Sequence, residues 1–289
     1  MNRMVTSPGV LYLIATPIGN LEDVTQRALR LLAEVSLIAC EDTRRTRLLL
    51  DRYQIKTKML SYHEHNEHTR ALELCAWLEG GADVAIVSDA GTPGISDPGF
   101  RLVRAAIERG VEVVPVPGPS AFVAALIASG LPTNEFYFGG FLPARSGARR
   151  ARFAEVRALN ATLVFYEAPH RIAASLADAR ETLGEREAAV ARELTKVHEE
   201  VRRGRLSDLA AHFTSEGAAR GEMVLIIDRT IIIGEEASGE GTSVAARVTA
   251  LESEGFDPRA ALKRVARELS LRRAEAYRRL VAERAQSEK

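Results

Sequence analysis

Short apolar runs alternate with longer amphipathic segments along this chain, and the alternation constrains the fold more than any other feature. The amphipathic segments, such as residues 23–34 and 98–109, carry apolar residues at the three- and four-residue spacing of a helix face. The apolar runs have the length of strands buried on both faces, and the first of them lie at 10–15, 36–40, 83–88 and 111–115. Strands that alternate with helices form βαβ units, so the pattern predicts an α/β fold with mainly parallel sheets.

The alternation is interrupted at residues 131–143, which are rich in glycine, proline and aromatic side chains. It resumes with apolar runs at 162–166, 188–191 and 223–228. A chain of 289 residues is long enough for two domains of roughly 100–200 residues each. We therefore expect two α/β domains, at residues 1–130 and 131–228.

The composition changes again near the end of the chain. Residues 229–243 are rich in small and acidic side chains, which is typical of a linker. Helix-start signals at Ser243, Asp257-Pro258 and Ser270 predict a small helical region at 244–289, with helices at 244–254, 258–268 and 272–284. This tail holds eleven Lys and Arg residues against seven Asp and Glu residues. The excess of basic residues is compatible with contact to RNA and also with packing between subunits.

Overall composition limits the class of protein. Lys plus Arg and Asp plus Glu both total 39, which excludes a uniformly basic nucleic-acid-binding body but allows a local basic patch. Cys40 and Cys75 are too few for a disulfide framework. The apolar run near the N-terminus is too short for a signal or membrane segment. We expect a cytoplasmic protein with no membrane association.

Ligands of open α/β sheets bind beyond the carboxyl ends of the strands, so the loops there are the first candidates for a site. Residues 88–99 contain three glycines and two prolines, with Asp89 and Asp97 towards the two ends. Such a stiff loop exposes backbone polar groups, and its carboxylates suit an ammonium or ribose hydroxyls. The alternative is a tight turn in which Asp97 caps the next helix.

Two other loops in the first half are less specific. Residues 16–20 follow the first strand, and Asp23 is placed to cap the next helix, but a plain turn explains the segment equally well. Neither the dinucleotide nor the nucleoside-triphosphate glycine fingerprint occurs in the chain. In residues 115–121, Pro119 stands where a helix begins and Ser120 is predicted in its first turn, where free N–H groups meet ligand oxygens.

Charged segments follow two strands of the second half, at residues 165–171 and 191–200. Charge runs are usually solvated, but a carboxylate, a lysine and a histidine after a buried strand make a functional site about as well supported as a solvated face. A separate cluster contains His63, His65 and Asn66. Its spacing does not suit a helical metal site, so no metal is expected, and substrate contact and a solvated helix start both remain open.

The segments singled out above, taken in their order along the chain, resemble the motifs of the tetrapyrrole (precorrin/corrin) methylase superfamily. The matching segments are TPIGNLED, SDAGTPGISDPG, VPGPSA, GFLP, FYEAPHR, ARELTKVHEE and GEMVLII. The resemblance covers nearly the whole chain. It is closest to the branch of ribosomal RNA small-subunit (cytidine-2′-O)-methyltransferases, because Gly91-Thr92-Pro93 stands where the wider superfamily has Gly-Asp-Pro. That replacement makes a macrocyclic substrate less favoured.

The resemblance implies S-adenosyl-L-methionine bound in a cleft between two α/β domains, and a cytidine ribose of 16S rRNA at the decoding centre of the small ribosomal subunit as methyl acceptor. It also implies a C-terminal RNA-binding region and a homodimer. Backbone groups of residues 222–224 would hold the adenine. Carried over to this sequence, the cofactor-binding residues are Gly91, Thr92, Ile95, Ser96, Asp97, Ser120, Ala121, Tyr166, Glu167, Glu222, Met223 and Val224.

A ribose hydroxyl is a poor nucleophile near neutral pH, so a base or a stabilising cation is expected. Glu193 is the first candidate for the base and His170 the second, with Lys196 and Arg192 stabilising negative charge. The predicted substrate contacts are His63, His65, Asn66, Arg171, Arg272 and Arg273. Two other functions stay open: a small-molecule tetrapyrrole C-methyltransferase, and a non-catalytic RNA-binding protein of ribosome assembly.

Overall fold

The computed structural model describes residues 7–215, 221–231, 243–253, 255–268, 271 and 273–287. The chain divides into two compact units, residues 1–232 and 233–289, and both sheets belong to the first. None of the described helices is long and apolar enough to cross a membrane.

The first sheet contains five parallel strands in the order β3-β2-β4-β1-β5. Four of them match the predicted runs, and the short β3 was not predicted. The strands are β1 (Val10–Ile14), β2 (Leu37–Cys40), β3 (Met59–Ser61), β4 (Val84–Val87) and β5 (Glu112–Val116). The alternation of strand and helix thus confirms the α/β class.

Helices cover both faces of the first sheet because its central strands are buried on both sides. On one face Leu32 and Leu50 belong to the same core cluster as Ile14 of β1, and on the other Leu74 and Leu102 pack with Leu11. The prediction that Asp23 caps the first helix is wrong, since the Thr25 hydroxyl accepts the capping bond from the Ala28 N–H (3.1 Å). The helices are α1 (Gln26–Glu34), α2 (Thr43–Arg52), α3 (Glu67–Glu79) and α4 (Phe100–Glu108).

The second sheet has the order β6-β7-β10-β8-β9 and is mixed. β6 and β7 are parallel, whereas β10 runs antiparallel to β7 and β8, and β9 antiparallel to β8. Parallel strands need a long crossover connection, and the connection between β8 and β9 is too short for one. These two strands must therefore pair antiparallel. Over both sheets, parallel pairs still outnumber antiparallel ones. The strands are β6 (Phe136–Phe141), β7 (Thr162–Glu167), β8 (Arg186–Arg192), β9 (Glu200–Arg205) and β10 (Met223–Ile231).

Sequence patterns did not show β6, which forms from the aromatic segment that interrupts the alternation, or the charged strand β9. Nor did they show which sheet α5 (Ala121–Ser129) covers. Ala125 and Leu126 of α5 pack on Val164 and Ile226 of the second sheet, although α5 precedes the predicted domain boundary at residue 131. The other face of this sheet is covered by α6 (Ser146–Val156), α7 (Ile172–Leu183) and α8 (Leu206–Thr214).

The described part of the second unit contains three helices, which agree closely with the predicted ones. Ser243 and Asp257 cap the first two: the Ser243 hydroxyl accepts from the Ala246 N–H (3.0 Å) and the Asp257 carboxylate from the Arg259 N–H (3.1 Å). Most of the predicted linker, and Ser270, lie outside the described residues. The helices are α9 (Val244–Ser253), α10 (Pro258–Glu268) and α11 (Arg273–Ser287), which share one apolar core.

Candidate active site

Hydrogen bonds join three loops at the carboxyl edge of the first sheet. The Thr16 N–H donates to the Gly91 carbonyl (2.8 Å), and the Gly91 N–H donates to the Thr16 carbonyl (3.0 Å). The Thr92 hydroxyl donates to the carbonyl of Pro119 (3.3 Å). Neighbouring parallel strands end at the same edge, so β1, β4 and β5 bring the three loops together.

The loop at 88–99 contains several left-handed backbone conformations. Gly91 and Gly94 have φ of +85° and +82°, and Ser96 adopts +59° despite its side chain. The N-cap of α4 is Gly99, and no side chain makes a capping bond there. The alternative in which Asp97 caps this helix is therefore wrong. Ser120 is the N-cap of α5, not a residue of its first turn as predicted, and its hydroxyl makes no capping bond.

Glu167, at the end of β7, is a buried carboxylate whose two oxygens are both engaged. Oε1 accepts from the Ala168 N–H (2.7 Å) and from Nε of Arg171 (2.8 Å), and Oε2 accepts from the Ser175 hydroxyl. Arg171, a predicted substrate contact, is thus an ion-pair partner of Glu167. The network holds the turn that opens α7.

The loop after β8 carries a second network, built on Glu193. Its carboxylate accepts from the Lys196 ammonium (2.9 Å) and from the Glu222 N–H (3.1 Å). The Glu193 N–H donates in turn to the Glu222 carbonyl (3.1 Å). The Glu222 N–H is therefore engaged with Glu193 in this structure, and the expectation that backbone groups of residues 222–224 hold the adenine stays a prediction. Arg192 pairs with Glu200 (2.6 Å).

The loops of both sheets surround one cleft with a cavity volume of about 440 Å³. It is lined by all twelve residues predicted to bind the cofactor. Ten further lining residues were not among the predicted cofactor contacts, although the sequence had already singled out the carboxylate of one of them, Asp89, and the GFLP motif that contains another. These ten are Ile18, Glu41, Arg45, Asp89, Ala90, Phe141, Ala168, Pro169, Ala191 and Leu194.

The carboxylates around the cleft differ in their electrostatics. Burial, followed by repulsion from Glu41 and Asp89, raises the pKa of Asp97 to about 7. Burial likewise raises the pKa of Glu41. In contrast, the hydrogen bond from Lys196 lowers the pKa of Glu193. The acidic groups nearest the loop at 88–99 therefore favour a cationic ligand.

Aromatic side chains form one wall of the cleft. The ring of Phe141 lies 5.2 Å from that of Tyr166, and the ring of Phe138 lies 5.1 Å from it. Tyr166 thus contacts two aromatic neighbours, and burial raises the pKa of its hydroxyl. Phe141 is 61% exposed, so its ring is accessible from solvent.

The remaining predicted site residues that the structure describes in the first unit are not among those lining the cleft. His63, His65 and Asn66 precede α3, where the Asn66 side chain accepts from the His63 N–H (2.9 Å). Exposed His170 lies in the short helical turn after β7. Arg272 is outside the described residues, and the structure does not describe the side chain of Arg273. Among the described residues, no group of three His, Cys, Asp or Glu side chains is arranged to hold a metal ion.

Comparison with known proteins identifies relatives over most of the chain. The family model described as tetrapyrrole (corrin/porphyrin) methylases matches residues 10–210. The ribosomal RNA small subunit methyltransferase I of Mesorhizobium japonicum is 54% identical over 218 residues, which cover 75% of this chain and 74% of that protein. The protein of the same name from Halalkalibacterium halodurans is 46% identical over 271 residues, 93% of either chain.

Solved structures share the fold at lower identity. A diphthine synthase matches with a TM-score of 0.60 and 14% identity, over 77% of this chain and 91% of that one. Uroporphyrin-III-C-methyltransferase from Thermus thermophilus matches with a TM-score of 0.55 and 23% identity, over 76% of this chain and 94% of that one. Likeness at this level of identity concerns the fold alone.

Proposed function

The chain belongs to the tetrapyrrole methylase family, and on this premise we propose that it transfers a methyl group from S-adenosylmethionine to a ribose 2′-hydroxyl of small-subunit ribosomal RNA. The observation that carries the methyl-transfer part is the cleft, which is lined by all twelve residues predicted to bind the cofactor. The RNA acceptor is supported by relatives at 46% and 54% identity that bear the name of ribosomal RNA small subunit methyltransferase I.

The cleft fits S-adenosylmethionine in size and in charge. Its volume of about 440 Å³ lies within the ~300–1,000 Å³ of small-molecule sites. The cofactor carries a sulfonium and an ammonium, which suit the acidic side of the cleft at Asp89 and Asp97, while Ile18 and Met223 offer apolar surface to the adenine. When bound, it supplies an activated methyl group. The protein's own task is to position the acceptor oxygen and to accept its proton.

The acceptor side requires contacts to RNA, and two lining residues have suitable chemistry. The exposed ring of Phe141 offers a surface on which an unstacked base packs. Arg45, whose side chain is 62% exposed and 3.6 Å from Asp89, is placed to meet a backbone phosphate. The histidine cluster at 63–66 and the residues Arg272 and Arg273 stay predicted RNA contacts.

We further propose the finer features that the motifs implied: a cytidine of 16S rRNA in the assembled small subunit as acceptor, a homodimeric enzyme, and a reaction in the cytoplasm. The tail at 244–289 is proposed to bind RNA through its excess of Lys and Arg. Phosphate contacts release counterions, so deletion of the tail should reduce the dependence of RNA affinity on salt.

A methyl-transfer assay tests the proposed function against its two alternatives. The protein is incubated with radiolabelled S-adenosylmethionine and either small ribosomal subunits or uroporphyrinogen, and labelled RNA is mapped to the modified nucleotide. Label on a ribose of 16S rRNA is expected. Label on the macrocycle would support a small-molecule C-methyltransferase. Failure to bind S-adenosylmethionine by calorimetry would support a non-catalytic RNA-binding protein.

A further inference from the structure

We propose that Asp97 is the catalytic base that accepts the proton of the ribose 2′-hydroxyl, an inference that rests on the proposed function. Asp97 lines the cleft at the end of the loop at 88–99. It follows Ser96, which has a left-handed backbone (φ +59°) and whose hydroxyl oxygen would lie 3.2 Å from a Cβ added at Gly140. The side chain that precedes Asp97 is thus packed close to the end of β6.

Among the described residues, the Asp97 carboxylate has neither a hydrogen-bond donor nor an ion-pair partner, and it does not cap α4. Most other carboxylates of the cleft are engaged. Asp89 accepts from the Asp42 N–H (2.9 Å) and lies 3.6 Å from Arg45. Glu167 has three donors, and Glu222 pairs with Lys196 (3.4 Å). Glu193, which does not line the cleft, is held by the same lysine. A base must have a free oxygen, so these groups are poor candidates.

Charged and polar groups from several elements surround the Asp97 carboxylate and influence its pKa. Glu41 after β2 and Asp89 after β4 repel its negative charge, and the Tyr166 hydroxyl faces it from β7. Arg45 of α2 is directed to Asp89. In the groove on the side of α3 and α4, which Asp97 also lines, Glu67 pairs with Arg101 (2.6 Å), and His68 lies nearby. Burial, followed by repulsion from Glu41 and Asp89, raises the pKa of Asp97 to about 7, which suits a general base at physiological pH.

Glu41 is the second carboxylate of the cleft without a described donor. A variant of Glu41 can distinguish a catalytic base at position 97 from a residue that only holds the cofactor. The charge of Glu41 repels that of Asp97, so Glu41→Gln should lower the pKa of Asp97 and shift the pH–rate profile to lower pH. A carboxylate that merely held the cofactor would not produce such a shift.

The proposed step balances in atoms and charge. The 2′-oxygen forms a bond to the methyl carbon while the carbon–sulfur bond breaks and leaves its electron pair on the sulfur. The hydroxyl proton moves to a carboxylate oxygen of Asp97 and is released to water after the product has left.

The experiment compares wild type, Asp97→Asn, Glu41→Gln and Glu193→Gln in single-turnover methylation of small subunits across pH. Removal of a general base typically costs about 10²–10⁴-fold, and we expect this loss for Asp97→Asn together with loss of the alkaline rise in rate. Glu41→Gln should shift the profile, and Glu193→Gln should keep its midpoint. Because Asp97 is also among the predicted cofactor-binding residues, calorimetry should show a loss of cofactor affinity for Asp97→Asn that is much smaller than its loss of single-turnover rate.

A second measurement does not depend on activity. In protein labelled with ¹³C at the aspartate carboxyls, one resonance absent from Asp97→Asn should titrate near the expected value of about 7. Titration in the ordinary aspartate range, near-normal turnover of Asp97→Asn, or a loss confined to cofactor affinity would each overturn this inference while leaving the proposed function intact. A wild type that methylates no ribosomal RNA would overturn both.

Discussion

Gly19 in the loop after β1 lies directly against Lys196 in the loop after β8, so closely that a Cβ on Gly19 would fall 2.6 Å from the Lys196 Cγ. This contact brings a loop of the parallel sheet onto the charged loop of the mixed sheet. The absence of a side chain at position 19 therefore allows the two loops to meet beside the cleft.

Gly19→Ala is expected to separate these loops. The added methyl would also be 2.9 Å from the Thr195 hydroxyl oxygen and 3.0 Å from the Leu194 carbonyl, and overpacking of this kind costs about 1–3 kcal/mol. The melting temperature should decrease, and calorimetry should show a lower affinity for S-adenosylmethionine. The control is Gly147→Ala in α6, where an added Cβ meets no described atom within 4 Å. Equal behaviour of the two variants would contradict the prediction.

Gly221→Ala is expected to disrupt the Glu193 network. Gly221 has φ of +75°, and its added Cβ would fall 2.1 Å from Oε1 of Glu193. Gly110→Ala is the matched control, because it has φ of +70° and open space, and thus only the left-handed strain of about 1–2 kcal/mol. Chemical denaturation should show a larger loss for Gly221→Ala, and a loss no greater than that of Gly110→Ala would refute the clash.

Glu167→Ala should destabilise the protein strongly. The side chain of Glu167 is fully buried, and its removal leaves Arg171, Ser175 and the Ala168 N–H without their acceptor. Breaking a buried pair from one side costs about 3–5 kcal/mol. Glu155→Ala is the control, since Glu155 is 62% exposed beside Arg152 and such surface pairs contribute about 0–1 kcal/mol. Similar denaturation midpoints for the two variants would show that the Glu167 network does not stabilise the fold.

Asp97→Asn should stabilise the protein at alkaline pH. The pKa of Asp97 is raised in the folded state from its usual 3.8 to about 7, so the folded protein holds the proton more tightly than the unfolded chain. Ionisation therefore lowers stability as the pH rises across this window. Melting temperatures should be higher for Asp97→Asn than for wild type at about pH 8, and the difference should shrink towards about pH 4.

Glu193→Gln should change the melting temperature in the opposite direction to Asp97→Asn in the same experiment. Its folded-state pKa is lowered, first by the hydrogen bond from Lys196, so its ionised form stabilises the fold above the ordinary pKa of glutamate. This variant should melt below wild type at neutral pH, and the difference should diminish as the pH falls through the folded-state pKa. A shift of the same sign for both variants would argue against these assignments.

Much of the cleft was predictable because its loops carry local signals. Glycine and proline mark the turns at 16–20, 88–99 and 115–121, and the buried strands before them follow from continuous apolar runs. Phe141 was missed as a lining residue because its segment, with two glycines in a row, does not follow the pattern of a buried strand.

Apolar periodicity, turn residues and motif order are properties of neighbouring residues, so the α/β class, the loops that build the cleft and the family of the chain were readable without a fold. The folded chain was needed to learn that α5 covers the second sheet, that Arg171 is paired with Glu167, and that Gly19 meets Lys196. It was also needed to learn which carboxylates are engaged by donors. Glu193 lies beside Lys196 and Glu222, while Asp97 faces Glu41 and Asp89. The pKa of a carboxylate depends on the charges and donors that surround it in space, and chain folding brings many of these from distant positions.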